Sequence, residues 1–289
     1  MKIATSCPCC SGTRIDRSPA VLAPFVAERV FGWVPAVVTA EWGLRDIPEG
    51  HAASICNGCL CLDCTFLFLD MRFDDEEMAA LYADYRGPAY RAARERYEPG
   101  YGRRNDLLHE QTDHLRETEA FLAGHLPARP AVLDWGGDTG LNTPFCGRAR
   151  THHVYDISGK GGLFPGAESV DEAASLRESY DLVVSAQVLE HVPAPLDLLL
   201  AMKARMAPHT ILYVETPHEN LVRLVDEPRV RLSGKRHWHE HINFFTEPAL
   251  DALLARAGLE PIERISIRTL DGGADRHVFM LTARLPGGI

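Results

Sequence analysis

The stretch HWHEH at residues 237–241 places three histidines and a glutamate within five positions. Imidazole and carboxylate groups bind metal ions, and near neutral pH they also accept and donate protons. On a strand, His237, His239 and His241 would share one face, because successive side chains of a strand alternate. The stretch therefore indicates a metal site or a site of proton transfer, unless it is only a polar loop.

Cysteines form a second concentration of chemically active residues, since seven of the eight lie within the first 64 residues. Three C-x-x-C pairs are available: Cys7/Cys10, Cys56/Cys59 and Cys61/Cys64. A C-x-x-C turn places two thiolates on one side of a metal, and two such turns complete a tetrahedral zinc site. A site closed by four cysteines leaves no position for substrate, so we expect structural zinc. An iron–sulfur cluster is an alternative.

Composition limits the partners of the chain. Its 289 residues suffice for one large domain, or for one domain and a smaller one. A net charge of −10 argues against nucleic acid, because phosphate backbones are bound by basic surfaces. No apolar run reaches the roughly 18 residues of a membrane span, and the start MKIATSCPCC lacks an apolar signal core. We expect a cytoplasmic protein with a small-molecule substrate and no membrane partner, and in that reducing compartment clustered cysteines indicate metal rather than disulfides.

The element pattern changes at about residue 131. AVLDW, HHVYDI, YDLVVSA and TILYVET are short runs rich in β-branched residues, and segments with helical character separate them. Such alternation predicts an α/β fold with a doubly wound, mostly parallel sheet. PIERISIRTL and RHVFMLTARL predict an antiparallel pair at its end. We predict a cysteine-rich module at 1–72, a helical linker or lid at 73–127 and a core domain at 128–289.

Three helices carry recognisable signals. Asp74 with Glu77 predicts a capping box. NDLLHEQTDHLRETEAFLAGHLP predicts a second, continuous helix. In TEPALDALLARAGLE, Thr246 is the expected cap, Pro248 falls in the first turn, and Gly258 ends the helix.

VLDWGGDTG is the most informative motif. A strand leads into Gly136, Gly137 and Gly140, which allow a tight turn and close approach of a ligand to the backbone. Asp156, at the end of the next strand, follows Asp134 by about 20 residues, the spacing of a carboxylate that binds ribose hydroxyls. The motif predicts a site for a nucleoside-containing cofactor, with a nicotinamide dehydrogenase as the competing class.

VLDWGGDTG, VYDIS, YDLVVSAQVLEHVPAP and TILYVETP together resemble the class I, Rossmann-like S-adenosylmethionine (SAM) methyltransferases, in that family's order, over about residues 128–285. Asp138 stands where the family commonly has a glycine. The LEHV segment and the lack of a second substrate domain argue against a dehydrogenase. The resemblance implies a seven-stranded sheet with an antiparallel last strand and SAM as cofactor.

The resemblance also implies a role for each matching residue. Asp134 would order the glycine turn and Asp156 would bind the ribose, while Ile157 packs on the adenine. Asp171 would accept the adenine amino group or, equally, cap a helix. The implied cofactor residues are Asp134, Gly136, Gly137, Gly140, Asp156, Ile157, Asp171, Ser185, Ala186 and Gln187.

The N-terminal part is similar to that of the zinc-binding sugar C-methyltransferases, because CLDCTFLFLDMRFDDEEMAALY follows their pattern of a C-x-x-C pair, an apolar stretch and a helix. This resemblance favours Cys7, Cys10, Cys61 and Cys64 as zinc ligands, with Cys9, Cys56 and Cys59 as alternates. Thr65 stands where a glycine is usual.

The same resemblance implies a catalytic set. Methyl transfer to a hydroxyl or to a carbon beside a ketone needs a base. In that group a Glu–His pair supplies it and a histidine after the fourth strand assists, which here correspond to Glu240, His241 and His191. Trp238 replaces the group's tyrosine. We expect His241 to be the base, although a packed, hydrogen-bonded histidine is the simpler alternative.

YRGPAYRAARERYEPGY is an aromatic and cationic stretch. Arginines bind carboxylate or phosphate through two parallel hydrogen bonds. The stretch predicts a lid that binds a sugar phosphate or nucleotide, or else an amphipathic helix with solvated arginines. The expected substrate contacts are Tyr90, Arg94, Tyr97, Tyr101, Trp238 and His239.

Two other functions compete with a small-molecule methyltransferase that acts on a polar acceptor such as a nucleotide sugar. One is an RNA methyltransferase with a zinc-ribbon N-terminus, which the negative net charge disfavours. The other is a non-catalytic SAM-fold binding or assembly module, against which the glycine turn and Asp156 argue.

Overall fold

The β-branched runs form strands, and helices lie between most of them, but the segment between AVLDW and HHVYDI forms turns and not the helix that the alternation predicts. A computed structural model describes residues 1–34, 36–42, 50–52, 55–107, 111–158, 163–175, 179–270 and 275–288. The strands are β1 (Lys2–Ile3), β2 (Ile15–Leu22), β3 (Ala36–Val38), β4 (Gly50–Ala52), β5 (Ile55–Cys61), β6 (Leu67–Leu69), β7 (Met71–Arg72), β8 (Ala131–Trp135), β9 (Thr151–Tyr155), β10 (Glu168–Ser169), β11 (Leu182–Ala186), β12 (Ile211–Pro217), β13 (His237–Trp238), β14 (Asn243–Phe244), β15 (Glu260–Thr269) and β16 (Arg276–Arg284).

The helices vary from one turn to three. They are α1 (Pro24–Phe31), α2 (Asp75–Tyr82), α3 (Pro88–Tyr97), α4 (Tyr101–Leu107), α5 (Leu115–Leu122), α6 (Glu172–Ser175), α7 (Pro195–Lys203), α8 (Asn220–Arg223), α9 (Pro228–Gly234) and α10 (Glu247–Ala257). In the part of the chain that the structure describes, no helix has both the length and the hydropathy that crossing a bilayer requires.

The chain forms two compact units, each assembled from several stretches of sequence. Unit 1 comprises Met1–Arg103, Glu190–Ala194 and Glu219–Ala252, and unit 2 comprises Arg104–Leu189, Pro195–His218 and Leu253–Ile289. The division at 1–72, 73–127 and 128–289 assumed consecutive segments, and it stays a prediction.

Unit 2 contains a seven-stranded sheet in the order β10-β9-β8-β11-β12-β16-β15. The first five strands in this order, from β10 through β9, β8 and β11 to β12, pair in parallel. Strand β16 is antiparallel to both β12 and β15. All five residues of β8 are buried, as expected for a central parallel strand covered on both faces. The predicted fold is confirmed: a doubly wound, mostly parallel sheet with an antiparallel last strand.

Unit 1 is built on a five-stranded sheet in the order β13-β2-β5-β6-β14. β2, β5 and β6 are consecutive antiparallel neighbours, and the two edge strands come from much later in the chain. β13 holds His237 and Trp238, so the HWHEH stretch joins the N-terminal cysteine-rich sheet. Trp238 and Tyr90 are among the fully buried side chains of this unit's core.

The predicted helix signals are found at two of three places. Asp74 and Glu77 form the capping box of α2. Thr246 Oγ1 accepts a hydrogen bond from the α10 backbone, and Gly258 follows the helix with a φ of +64°.

The prediction of one continuous helix through residues 105–127 is wrong. The chain forms α4 and α5 instead, and residues 111–114 between them are not helical. The Thr112 N–H donates to Asn142 Oδ1, and His114, at the start of α5, turns its ring towards Glu215. These contacts with distant residues replace the helical hydrogen bonds that local propensity favours.

Candidate functional site

The glycine turn after β8 has steric reasons for its composition. Gly136 has a φ of +84°, which side chains rarely tolerate, and a Cβ there would lie 2.6 Å from Val188 Cγ2. A Cβ on Gly137 would lie 2.5 Å from the carboxyl carbon of Asp134. The turn therefore presents bare backbone between β8 and β11, where the strand order reverses and doubly wound sheets bind ligands.

Asp138 keeps the backbone conformation of the glycine it replaces. Its φ is +53°, in the left-handed region that aspartate adopts more readily than most residues. Its N–H donates to Asp156 Oδ2 at 3.0 Å. The departure from the family's glycine pattern therefore changes the side chain but leaves the turn geometry glycine-like.

Asp134 and Asp156 lie at the ends of the two neighbouring strands β8 and β9, beside this turn. Asp134 is buried and accepts a 2.5 Å hydrogen bond from Thr143 Oγ1, while burial raises its pKa to about 7. Asp156 Oδ1 accepts from the N–H and hydroxyl of Ser158. Ile157 beside it is 65% exposed, an apolar side chain available to a planar ring. Ribose and adenine contacts at these residues stay predictions.

The end of β11 forms the neighbouring edge of the turn. Ser185 is fully buried, and its hydroxyl has no hydrogen-bond partner among the described residues. Gln187 has a φ of +58°, so the chain turns sharply after Ala186. Asp171 accepts from the Ala174 N–H at 2.6 Å and caps α6, the alternative left open by the sequence, while its adenine contact stays a prediction.

Two histidines lie against each other in unit 1. The His191 and His241 rings are 4.6 Å apart between centroids and nearly perpendicular. His191 Nδ1 lies 3.2 Å from the Glu240 carbonyl, and because a carbonyl only accepts, this nitrogen carries the proton. Glu190 lies 3.7 Å from His191 Nε2. Glu190, His191 and His241 each offer a ligand atom within 4.8 Å of the others, so their spacing could also hold a divalent ion.

The pKa values in this cluster differ in direction. Burial, helped by nearby His241, lowers the pKa of His191 to about 3. Burial opposes ionisation of His241, but hydrogen bonding to Glu219 together with the negative charges of Glu190, Glu240 and Glu219 outweighs it and raises the His241 pKa above its ordinary value. For Glu240, burial is outweighed by positive charge on His239, Arg94 and their neighbours, and its pKa lies well below the usual range. His241 is therefore the most basic of the three predicted catalytic residues.

The aromatic and cationic stretch YRGPAYRAARERYEPGY contacts Glu240 through Tyr90 and Arg94. Tyr90 Oη donates to Glu240 Oε2 at 3.0 Å, and Arg94 donates to Oε1 at 2.8 Å. Arg94 also bonds Glu98, whose carboxylate lies 2.6 Å from His239 Nε2. These contacts orient the backbone that leads from His239 to His241.

The other expected substrate contacts are also packed. The Arg94 guanidinium lies 4.4 Å from the Tyr101 ring centroid, and the Tyr97 hydroxyl donates to Glu28. Trp238 and Tyr90 are fully buried. A substrate role for Tyr90, Arg94, Tyr97, Tyr101, Trp238 and His239 stays a prediction.

Four cysteine sulfurs converge in unit 1. The Sγ atoms of Cys7 and Cys64 are 3.6 Å apart, those of Cys10 and Cys61 are 3.5 Å apart, and all four lie within 4.8 Å of one another. Tetrahedral zinc with Zn–S bonds of about 2.3 Å needs sulfurs about 3.8 Å apart. The tetrad that the resemblance favours therefore has the spacing of a zinc site, and Cys9, Cys56 and Cys59 are not part of it.

The two C-x-x-C turns have the same backbone geometry. The Ser11 N–H donates to the Cys7 carbonyl, and the Thr65 N–H donates to the Cys61 carbonyl. Ser11 and Thr65 both lie in the left-handed region, with φ of +62° and +60°. Thr65 thus adopts the conformation for which a glycine is usual, and the matched turns aim all four thiols at one point.

The middle and C-terminal part of the chain matches a known protein family. A family model described as "Methyltransferase domain" matches residues 107–264, more than half of the chain. This chain belongs to that methyltransferase family. The predicted enzyme class is confirmed at the level of the family.

Individual relatives are more distant from this methyltransferase. The ubiquinone biosynthesis O-methyltransferase of Roseobacter denitrificans is 26% identical over 100 residues, which cover 33% of this chain and 40% of that protein. Among solved structures, a Burkholderia thailandensis 1,6-didemethyltoxoflavin-N1-methyltransferase with bound S-adenosylhomocysteine is 18% identical, with a TM-score of 0.49 over 78% of this chain and 97% of that chain. A glycopeptide N-methyltransferase is 14% identical, with a TM-score of 0.44 over 61% of this chain and 91% of that chain.

The methyltransferase core has a second buried polar network, which local sequence patterns did not indicate. His114 Nε2 lies 3.2 Å from both carboxylate oxygens of Glu215, which also accepts from Tyr213 and Gln187. Glu215 belongs to the apolar-looking run TILYVET, and His114 to the segment predicted as mid-helix. Glu219, which pairs with His241, was likewise missed. A glutamate inside an otherwise apolar strand run is the sequence signal that could have marked Glu215.

Proposed function

We propose that the protein is a SAM-dependent methyltransferase that methylates a small polar acceptor, such as a nucleotide sugar or a related biosynthetic intermediate, with His241 as general base. Family membership supports methyl transfer, and the half-buried His191–His241 pair supports the base mechanism. Resemblance of the cysteine module and of the Glu240–His241 segment to sugar C-methyltransferases supports the acceptor class.

The cofactor site is proposed at the glycine turn. SAM, when bound, supplies both the electrophilic methyl group and the leaving group. Any Cβ at Gly136 or Gly137 would clash with the side chain of Val188 or Asp134, so only glycine fits this turn, which lies where doubly wound sheets bind ligands close to the backbone. Asp156 would hold the ribose, Ile157 would cover the adenine, and Ser185, Ala186 and Gln187 would line the methionine end.

The base is proposed to be His241, because the other two members of the predicted set are poorly suited to accept a proton. Glu240 is engaged by Tyr90 and Arg94, and its lowered pKa makes its carboxylate a weak base. His191 already donates through Nδ1, and its pKa is about 3. We propose that His241 removes the acceptor's proton while Glu219 orients its ring and His191 and Glu240 shape its surroundings.

The cysteine tetrad is proposed to bind one structural zinc ion. The four thiolates would saturate a tetrahedral ion, so the metal would stabilise unit 1 and take no part in the reaction.

The deciding experiment is product identification. The purified full chain would be incubated with SAM and a panel of nucleotide-linked sugars and keto-sugars, and products would be analysed by mass spectrometry for one added methyl group. The expected result is a methylated sugar nucleotide with wild type and none with His241→Ala. SAM binding without methylation of any sugar nucleotide would overturn the acceptor class. No binding of SAM or S-adenosylhomocysteine at millimolar concentration would overturn the cofactor assignment.

A further inference from the structure

Glu215 places a carboxylate in the interior of unit 2, within a network of polar side chains. Glu215 is 4% exposed and lies at the carboxyl end of β12. Tyr213 Oη donates to Oε2 at 2.6 Å, and Gln187 Nε2 donates to Oε1 at 2.9 Å. The four contacts from Tyr213, Gln187 and His114 satisfy a carboxylate that is almost wholly removed from water.

His114 faces a carboxylate from each of its ring nitrogens. Its Nε2 lies 3.2 Å from the Glu215 oxygens and its Nδ1 lies 3.4 Å from Asp113 Oδ1, an arrangement that favours the protonated imidazolium, which donates from both nitrogens. Burial lowers the His114 pKa, but the two carboxylates outweigh burial and raise it. Burial likewise opposes ionisation of Glu215, and the hydrogen bonds from His114, Tyr213 and Gln187 together with the charge of His114 outweigh it and lower the Glu215 pKa.

A buried ion pair is a costly way to stabilise a sheet. Desolvation offsets most of the attraction between the charges, and packed apolar side chains in the same volume are usually at least as stabilising. The strand neighbours Val214 and Leu212 are such apolar side chains. The pair therefore calls for an explanation other than stability.

The position of the pair supplies that explanation. Glu215 is paired with Ala186, the last residue of β11, in the sheet. Its carboxylate accepts a hydrogen bond from the side chain of Gln187, the next residue, at which the chain turns. Both lie at the carboxyl edge of the parallel strands, beside the glycine turn, where this fold class binds its ligand. The carboxylate is the member of the pair that touches the end of β11.

We propose that Glu215 and His114 are part of the cofactor site, where they hold Gln187 in place. Their charges make binding of the cationic cofactor more favourable than binding of its neutral product. This inference rests on the proposed function. SAM carries a positive sulfonium, whereas S-adenosylhomocysteine has a neutral thioether in its place. A fixed carboxylate in a low-dielectric site attracts the former more than the latter. His114 limits that attraction, because its positive charge compensates Glu215.

The test is the ratio of two dissociation constants, measured by titration calorimetry on the full chain: that of S-adenosylhomocysteine divided by that of SAM. Glu215→Gln should lower this ratio several-fold, because the carboxylate is lost. His114→Gln should raise it several-fold, because Glu215 is left uncompensated. Glu215 and His114 are positioning residues in this proposal. If their role were purely structural, each substitution would weaken the binding of both ligands equally and leave the ratio unchanged.

A matched control exists in the same unit. His125 Nε2 and Glu263 Oε2 form a more exposed pair at 3.4 Å, so Glu263→Gln should leave the ratio unchanged. Should Glu215→Gln fail to fold, the direction of the change in His114→Gln decides alone. An unchanged ratio in folded variants overturns the proposal. Failure of wild type to bind either ligand would instead overturn the proposed function.

Discussion

Glu219 Oε1 lies 3.4 Å from His241 Nδ1, within ion-pair distance of the proposed base. A carboxylate on one ring nitrogen fixes the ring orientation and stabilises the charged imidazole. The Glu240 oxygens are instead directed to Tyr90 and Arg94. The two glutamates therefore have separate roles: Glu219 acts on the ring, and Glu240 anchors the chain that carries it.

The pH dependence of activity should report the Glu219–His241 contact. A general base works in its neutral form, and the His241 pKa is raised above the ordinary value of about 6.5. Activity should therefore fall as pH decreases through a value above about 6.5. Glu219→Gln should move this acid limb to lower pH in plots of log kcat/KM, whereas Glu76→Gln on the exposed side of α2 should not. An acid limb at the same pH in Glu219→Gln would exclude His241 as the titrating base.

Replacing His241 should stop turnover without removing the cofactor site. A lost general base typically costs at least about 100-fold in rate. We expect His241→Ala to reduce kcat by that factor and to change the SAM dissociation constant less than twofold, as measured by steady-state kinetics and calorimetry. His237→Ala, in the same stretch but exposed, is the matched control and should retain nearly full activity.

Binding of a metal ion is the alternative role for Glu190, His191 and His241. Activity assays combined with thermal unfolding distinguish this role from that of a general base. With His241 as a base, brief treatment with a chelator that leaves the folded zinc module intact should not alter the rate. Loss of activity that magnesium or manganese restores, with unfolding temperature unchanged, would favour a catalytic ion at this cluster.

The cysteine tetrad should hold about one zinc ion per chain, as four thiolates saturate a tetrahedral ion. Cys61→Ser should abolish zinc binding and lower the unfolding temperature, because ligand binding and folding of such a module are coupled. Cys56→Ala removes a buried thiol outside the tetrad and should keep its zinc. Elemental analysis with thermal unfolding measures both effects, and full zinc content in Cys61→Ser would reject this ligand set.

The Arg94–Glu240 pair should contribute measurably to the stability of unit 1. Both side chains are nearly buried, with 12% and 10% exposure, and removing one partner leaves an uncompensated charge. We expect Arg94→Met to lower the free energy of unfolding by about 3 kcal/mol in urea titrations. Arg96→Met on the same helix, whose partner Glu28 is exposed, should change it little.

The pH dependence of stability provides a second measurement on this pair. Because the folded pKa of Glu240 is depressed, its contribution is present above the unfolded pKa of about 4.3 and is lost as pH falls below that value. Arg94→Met should show a smaller loss over the same range. An equal loss in both proteins would mean that Arg94 does not stabilise the Glu240 carboxylate.

Local rules were enough to predict the doubly wound sheet and its glycine turn. β-Branched runs, helix caps and the glycines after Asp134 act over a few residues, so spacing alone locates them. The single helix predicted across residues 111–114 failed for the opposite reason. There, Asn142 and Glu215, both distant in sequence, compete with the helical hydrogen bonds.

By itself, the sequence determined the fold class, the glycine turn and the two kinds of chemistry, thiolate and histidine–carboxylate. Only the tertiary structure decided which partners meet: Cys7 with Cys64, His241 with Glu219, and His114 with Glu215. The physical reason is that burial and ion pairing depend on distances through space. No periodicity along the chain encodes the pairing of residues that the fold brings together from separate segments.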